Sequence, residues 1–600
     1  MGTAPARHTA LDPAVACGYL PVPINRKQPE KTGKINIYFE IYPHTNQGSA
    51  ESAILFNVGG PLLRSGLPRY CEASRPLGAT DQISQIRTFN VAPCWTRLLS
   101  PNAVFTFGGF VRHDQYNYYP SRNLFDDLSP IQQDSVAQDR TLTNAGLRTA
   151  LSYVKGVHNI KLGATYQQTF LNESDNLGIV DNGLLPSLSD GNSIPCFVNG
   201  VALGSPCSDL QPYDLTRGGG LFAFRGHTDV KQLALYVQDQ ITKGNWSFNV
   251  GLRGDFYNGL TAHKEPEPRL GLAYNIKRTS TVLRLSYARV LETPFNENLI
   301  VASVGCDSSV LNPLLGCASS SSTPLGPGWR NEFHAGLQQA VGKYLVFSGE
   351  YIWKYTHNAY DFSILGNTPI FFPIAWDRSK IPGFAGRISM PNLHGFSAQM
   401  VFSTVSARFF LPQVSGAGAT PSAPSGVFRI DHDEKFNQTT HLQYQPWQQG
   451  PWIGFNWRYD SGLVAGAVPF ATDPNTPVDL TGFTADQQMQ AGLFCGNMFP
   501  TLTSPLTSCA PPQFGSTRVT IPTPGAENDD HNPPRIAPRH LFDIAVGDDN
   551  IFRGDKYKWS LRVTAINVTN KVALYNFLST FSGTHFLTPR TYTAELGFHF

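Results

Sequence analysis

From about residue 159 onward the chain keeps returning to one pattern. Ile160, Leu162, Ala164 and Tyr166 alternate with Lys161, Gly163, Thr165 and Gln167. Trp246, Phe248, Val250 and Leu252 are set against Ser247, Asn249, Gly251, Arg253 and Asp255. Ile453, Phe455, Trp457 and Tyr459 oppose Gly454, Asn456, Arg458 and Asp460, and Trp559, Leu561, Val563 and Ala565 oppose Lys558, Ser560, Arg562 and Thr564. In the last eleven residues Tyr592, Ala594, Leu596, Phe598 and Phe600 fall on one side, and Thr591, Thr593, Glu595, Gly597 and His599 on the other. A period of two predicts extended strands with one apolar and one polar face. Strands of this length with aromatics near their tips suit a wall with lipid on one side and water on the other. The pattern alone does not say which face is which.

The same reading predicts a hairpin around Lys243-Gly244-Asn245, since a short Gly/Asn turn between alternating runs is a strong hairpin signal. Further strands are expected near 104–110, 270–276, 281–291, 332–339, 344–355, 396–409, 439–445 and 541–547. The total is about sixteen, within a range of about 14–18, because strand boundaries are poorly legible. Short turns alternate with long segments rich in Gly, Pro, Ser and Asn at 171–225, 292–328, 411–436 and 461–538. Loops that long are unusual in a compact soluble domain and usual on the extracellular side of an outer-membrane barrel. The predicted fold class is therefore all-β, an antiparallel transmembrane β-barrel with long extracellular loops. A soluble adhesin of several β-sandwiches is the competing all-β reading.

Composition narrows the choice. Lys and Arg number 46 against 44 Asp and Glu, and a net charge of +2 removes nucleic acid as a default partner. Charged residues are only 15% while aromatics reach 12%. No apolar run approaches the roughly 18 residues of a spanning helix, although barrel strands need only alternate apolar residues. The opening stretch MGTAPARHTALDPAVACGYL lacks the basic head and apolar run of a signal peptide, so the front of the chain is expected to be truncated or rearranged. Six of the nine cysteines fall in close pairs within predicted loops: Cys196 with Cys207, Cys306 with Cys317, and Cys495 with Cys509. Disulfide-closed loops in an oxidising compartment are the simplest account, and no zinc-type spacing accompanies them.

Residues 1–70 have a different character. Ile35, Ile37 and Phe39 alternate, and the apolar run from Ala53 to Phe56 leads into Asn57-Val58-Gly59-Gly60-Pro61. That arrangement, with CGYLPVPINRKQP before it, resembles the start of an α/β-hydrolase of the proline-iminopeptidase and tripeptidyl-aminopeptidase-like branch. The resemblance implies a backbone N–H for an oxyanion hole. It ends after about fifty residues, and no G-x-S-x-G elbow follows, so a small α/β-like fragment without catalysis is expected. Residues 71–94 read as an unpatterned junction, and 95–600 as the barrel.

The barrel portion also resembles a TonB-dependent outer-membrane receptor of the Oar-like, carboxypeptidase-regulatory-like type. The resemblance is carried by LSPNAVFTFGGFVRHDQYNYYPS, TLTNAGLR, GHTDVKQLALYVQDQITKGNWSFNVGLRGDFYNG, EPRLGLAYNI, LRLSYARVLETPFNENLI, the SKIPGFAGRISMPNLHGFSA region, DHDEKFNQTTHLQYQPW and the C-terminal strand. It implies a cell outer-membrane transporter and not an enzyme, without a cofactor, taking up a scarce, bulky small or oligomeric ligand. The partners it implies are outer-membrane lipid, the barrel-assembly machinery reading Tyr592, Phe598 and Phe600, and the TonB complex where a plug is supplied. Roughly twenty-two strands and a plug are usual for the family. Fewer strands and no plug pattern are visible here, so an incomplete barrel with two unpaired edges is expected.

Arg253, Asp255, Arg458 and Arg562, with Arg284 and Glu350, are expected to line the lumen, chiefly as mutually paired polar residues. His432, Asp433 and Glu434 read as a solvated hairpin tip, and Glu265 and Glu267 as part of a Pro-marked turn. Tyr116, Tyr118 and Tyr119 read as an interface belt.

Overall fold

The computed structural model describes residues 16–23, 34–41, 82–121, 124, 134–179, 197–198, 201–202, 207–215 and 218–599, the last apart from 318–321, 367, 369, 449, 527–530 and 581–582. Twenty strands form one antiparallel sheet that curls into a closed barrel. Three pairs of these strands are halves of single staves. Ile83–Val91 and Cys94–Ser100 both pair with Ala103–Tyr119. Phe396–Val405 and Arg408–Ser415 both pair with Phe371–Leu393, and opposite them lie Asn437–Tyr444 and Gly426–Arg429. The wall thus has seventeen staves, inside the expected range. It is one barrel and not a stack of sandwiches.

Alternation dictates how the wall faces. In the ladder between Trp246–Asn258 and Ala262–Ile276, Phe248 is opposite Leu272, Val250 opposite Leu270, and Arg253 opposite Glu267. Val250 and Leu252 are about half exposed, as are Leu235, Val237, Leu270 and Leu285 on neighbouring strands. Leaving such a band open to water would be costly, and immersing it in lipid removes the cost. Aromatic pairs border the band. Trp246 packs on Tyr274 at 4.3 Å beside the Gly244 turn, and Tyr287 packs on Phe333 at 4.8 Å toward the other end. Gly244 takes φ +63°, which a side chain would strain, so the predicted hairpin turn stands where the pattern put it. Among the described residues no helix is long and apolar enough to cross a membrane.

The longest connections all lie at one end of the wall, beside short ones such as 259–261, and the other end has only shorter turns, the arrangement of extracellular loops and periplasmic turns. Several strands outrun the membrane. His158–Ile179 starts at a short turn and continues for 22 residues. At about 3.3 Å per residue and a tilt of about 40°, its last third rises clear of a roughly 25 Å apolar band.

The sheet departs from the sequence reading in four places. The wall starts at Ile83, ahead of the boundary expected at residue 95. The apolar residues there, Ile83, Ile86 and Phe89, recur every third position and hide the strand. Asp134–Lys155 is concealed by its Thr and Ala residues, and Phe371–Leu393 by three prolines. Glu265 and Glu267 sit within the strand Ala262–Ile276, not in a turn. Pro266 and Pro268 are tolerated because pairing with Thr281–Glu292 ends at Arg269, leaving that side of the strand open.

Among the described residues a register is defined at every junction except that between the first stave and the terminal strand. Every residue of Ile83–Val91 and Cys94–Ser100 is exposed. With an odd number of alternating staves, these two run the same way, whereas bacterial outer-membrane barrels have even numbers. Ahead of the wall, Ala16–Pro23 and Lys34–Ile41 pair as an antiparallel hairpin. The Gly59-Gly60-Pro61 loop, Cys71, Cys196 and Phe600 lie outside the described residues.

Candidate functional site

The polar face of the wall lines the lumen. Over five consecutive strands it carries a belt of charge near the extracellular end. Arg253 Nε lies 2.6 Å from Asp255 and 3.6 Å from Glu267, which also receives Arg269 at 2.8 Å and the Leu291 N–H at 2.6 Å. Glu265 meets His263 at 2.9 Å and Arg289. Arg330 bridges Glu292 and Glu332, Lys354 approaches Glu332 at 3.5 Å, and His334 lies 2.7 Å from Glu350. Glu265 and Glu267 are buried, and each meets one basic residue of its own strand and one arginine from a neighbouring strand, Arg289 for Glu265 and Arg253 for Glu267.

Arg458 lies 3.1 Å from Asp460, which also receives the buried Arg539 at 3.2 Å. Arg562 donates to Thr564 at 3.2 Å, and Arg284 donates to Gln338 at 2.8 Å. Along one register row between these charges Ser389 stands opposite Gln399, Gln399 opposite His441, His441 opposite Asn456 and Asn456 opposite Asp543. The four predicted lumen residues therefore share one face of the wall but not one cluster: Arg253 and Asp255 are partners, and Arg458 and Arg562 lie on other staves.

At the extracellular end of the wall lies a buried polar group that the sequence pattern does not reveal. Glu173 and Asp175 are each 1% exposed on the part of His158–Ile179 beyond the membrane. The Ile300 and Val301 N–H groups donate to the two oxygens of Glu173 at 3.0 and 2.9 Å. Gln138 Nε2 donates to Asp175 and to Asn298 Oδ1, both at 2.8 Å. Burial pushes the Glu173 carboxyl up to about 8 and that of Asp175 up to about 6, against the pull of those donors and of Arg140. The available sequence signal was the apolar run Leu299–Val304 inside a segment otherwise composed like a loop.

Two sequence expectations are corrected nearby. Asp433 is fully buried, not a solvated tip, and ties Arg429 (3.0 Å), Arg535 and the Ala407 N–H together. One of its cations, Arg535, comes from about a hundred residues away, which local reading cannot see. Tyr116 and Tyr118 point into the mouth instead of forming a belt. Tyr118 donates to Gln82 at 2.6 Å, and Arg140 lies 5.1 Å over the Tyr116 ring. The outer loops are stapled by disulfides between Cys306 and Cys317 and between Cys495 and Cys509, and Cys207 is disulfide-bonded too. Among the described residues no group of three potential ligands is assembled as a metal site.

On the terminal strand, Tyr592 and Phe598 lie on the outward face and are exposed, and Phe598 packs on Trp559 at 4.8 Å.

An antiparallel wall that is apolar outside, charged inside, short-turned below and long-looped above defines a transmembrane barrel of the outer-membrane class. Residues 95–327 match the family described as TonB dependent receptor-like, beta-barrel. Solved receptors share the fold. The copper transporter OprC is 10% identical with a TM-score of 0.53, covering 87% of this chain and 66% of its own. The FrpB iron transporter from Neisseria meningitidis is 12% identical with a TM-score of 0.50, covering 86% and 64%. The ferric-catecholate import receptor Fiu from K12 E. coli is 11% identical with a TM-score of 0.50, covering 87% and 65%. The chain thus spans under two thirds of the length of these structures. No curated protein matches it by sequence.

Proposed function

We propose that this chain is the barrel of an outer-membrane TonB-dependent receptor that takes up a bulky, scarce ligand and does no chemistry on it. The observation that carries the reading is the family match over residues 95–327, set in a wall whose charged belt faces the lumen. Relatives of this fold are titled transporters or receptors for copper, iron and ferric catecholate, so a chelated metal is the ligand class to try first. A lumen whose belt of charges is largely self-paired suits a large polar solute, because paired charges trap it less than free ones would. The barrel-assembly machinery would read the terminal strand through Tyr592, Phe598 and Phe600. TonB would act through a plug domain. Residues 1–70 are assigned to a separate N-terminal fragment, 71–94 to a junction and 95–600 to the barrel, with the wall itself reaching back to Ile83.

The hydrolase reading of residues 17–66 gains nothing. Its described part is a two-stranded hairpin, and the chain offers no serine elbow.

The test is accumulation of a radiolabelled ferric catecholate by Gram-negative cells displaying the chain, with and without a functional TonB. TonB-dependent accumulation supports the reading. Accumulation indifferent to TonB, with the chain in the outer membrane, contradicts it.

A further inference from the structure

The strands Thr281–Glu292 and Gly328–Val341 are direct neighbours in the wall, yet residues 293–327 intervene between them. A connection of a few residues would suffice, so the excess length calls for another reason. Its helices, Leu299–Val304 and Leu311–Leu314, are apolar and buried. They share a core with Val136, Leu171 and Leu177 on one part of the wall and Phe372 and Ile374 on another.

The hydrogen bonds repeat this span. On one side Glu173 takes the N–H groups of Ile300 and Val301, and Gln138 donates to Asn298. On the other side the Asn298 amide donates to the Phe371 carbonyl, and the Gly366 N–H donates to the Leu314 carbonyl at 2.8 Å. The strands His158–Ile179 and Phe371–Leu393 are seven staves apart in a ring of seventeen, so the insert reaches between nearly opposite sides. Asn298 holds a left-handed φ of 51°, a conformation that persists where its surroundings over-determine it. Directly opposite Glu173 lies Gly226, and a Cβ there would sit 2.6 Å from Ile300 Cγ2. The wall is notched where the insert docks.

We propose that residues 298–315 form a resident seal across the extracellular mouth, latched by Glu173 and Asn298 and seated on Gly226, and that solute enters the lumen only when this seal swings out. The proposal rests on the barrel reading above. It adds that the closed state is built into the chain itself.

Conductance of the refolded full chain in planar bilayers bathed in KCl tests it, with heat-modifiable gel migration reporting barrel formation for every variant. The double variant Glu173→Leu with Asn298→Ala removes the latch. Gly226→Val displaces the seat while leaving the latch intact. Each should raise mean conductance roughly tenfold, the shift expected from losing one or two hydrogen bonds in the first case and the packed seat in the second. The pair Gly226→Cys with Ile300→Cys, whose Cβ atoms would lie about 3.2 Å apart, should staple the seal and hold conductance at or below the parent's. Heat-modifiable variants that conduct like the parent overturn the seal, as does a parent that is already a wide pore. A chain that never shows a heat-modifiable band overturns the barrel reading, and the seal with it.

Discussion

Arg253 and Glu267 face each other across one ladder of the wall, with Arg253 Nε 3.6 Å from a carboxylate that is 2% exposed. Their pairing joins strand alternation to lumen chemistry, since the register that turns Val250 and Leu252 toward lipid turns these two charges inward. Replacing Arg253 with Met leaves Glu267 with Arg269 as its one cation, beside the Leu291 N–H. The expected loss is about 3 kcal/mol, the usual cost of breaking a buried pair from one side. Adding Glu267→Gln should return part of it. Urea unfolding in detergent micelles, followed by tryptophan fluorescence, reads both variants, and equal stability of all three chains would refute the pairing.

The facing of the wall makes a sharper contrast. Val250 and Asn249 are adjacent, but only Val250 looks outward. In lipid vesicles Val250→Arg should destabilise the barrel by about 2–4 kcal/mol, as a cation near the bilayer midplane does. Asn249→Arg should change stability by less than about 1 kcal/mol, because the lumen is wet. Equal effects of the two variants would show that neither face meets lipid.

The seal carries a pH dependence with a definite sign. Glu173 is raised from 4.5 to about 8 by burial, so the closed state holds a proton that a hydrated open state gives up. The latch is fully present below about 4.5 and is lost as pH rises through about 8. Asp175, raised to about 6, adds to the trend, while Arg140 and Arg225 oppose it and Glu297 tempers Arg140. Bilayer conductance should therefore climb between pH 5 and pH 9, and Glu173→Gln should flatten most of that climb. A falling or unchanged conductance would contradict the assignment.

The disulfide between Cys495 and Cys509 closes a short loop over a separate small core built from Leu480, Leu493 and Val519. Removing it with Cys495→Ser should cost that outer module about 3 kcal/mol, the entropic value for a loop of this size. The barrel itself should be spared. Limited proteolysis should then cut within 461–538 faster than in the parent while the heat-modifiable core survives.

Legibility followed locality. Strands such as Trp246–Asn258 and Pro451–Asp460 were plain because lipid on one side and water on the other impose a strict period of two. Ile83–Val91 was hidden because its apolar residues break that period. The extensions above the membrane were missed too. Glu173 and Asp175 stand there at alternate positions like any lumen residue, and only contact with residues 298–301 buries them. Asp433 reads as solvated for the same reason, since Arg535 reaches it from a distant loop. Arg253 and Asp255 were legible as inward-facing residues, but Glu267 completes their cluster from the next strand.

The central claim is that this chain folds as a membrane barrel, and heat-modifiable gel migration after refolding in detergent micelles tests it most directly. Faster migration unheated than boiled is the expected result, because a hydrogen-bonded barrel resists unfolding by detergent alone. Identical migration, together with a chain that stays folded and soluble in plain buffer, would contradict the account and return the soluble all-β reading.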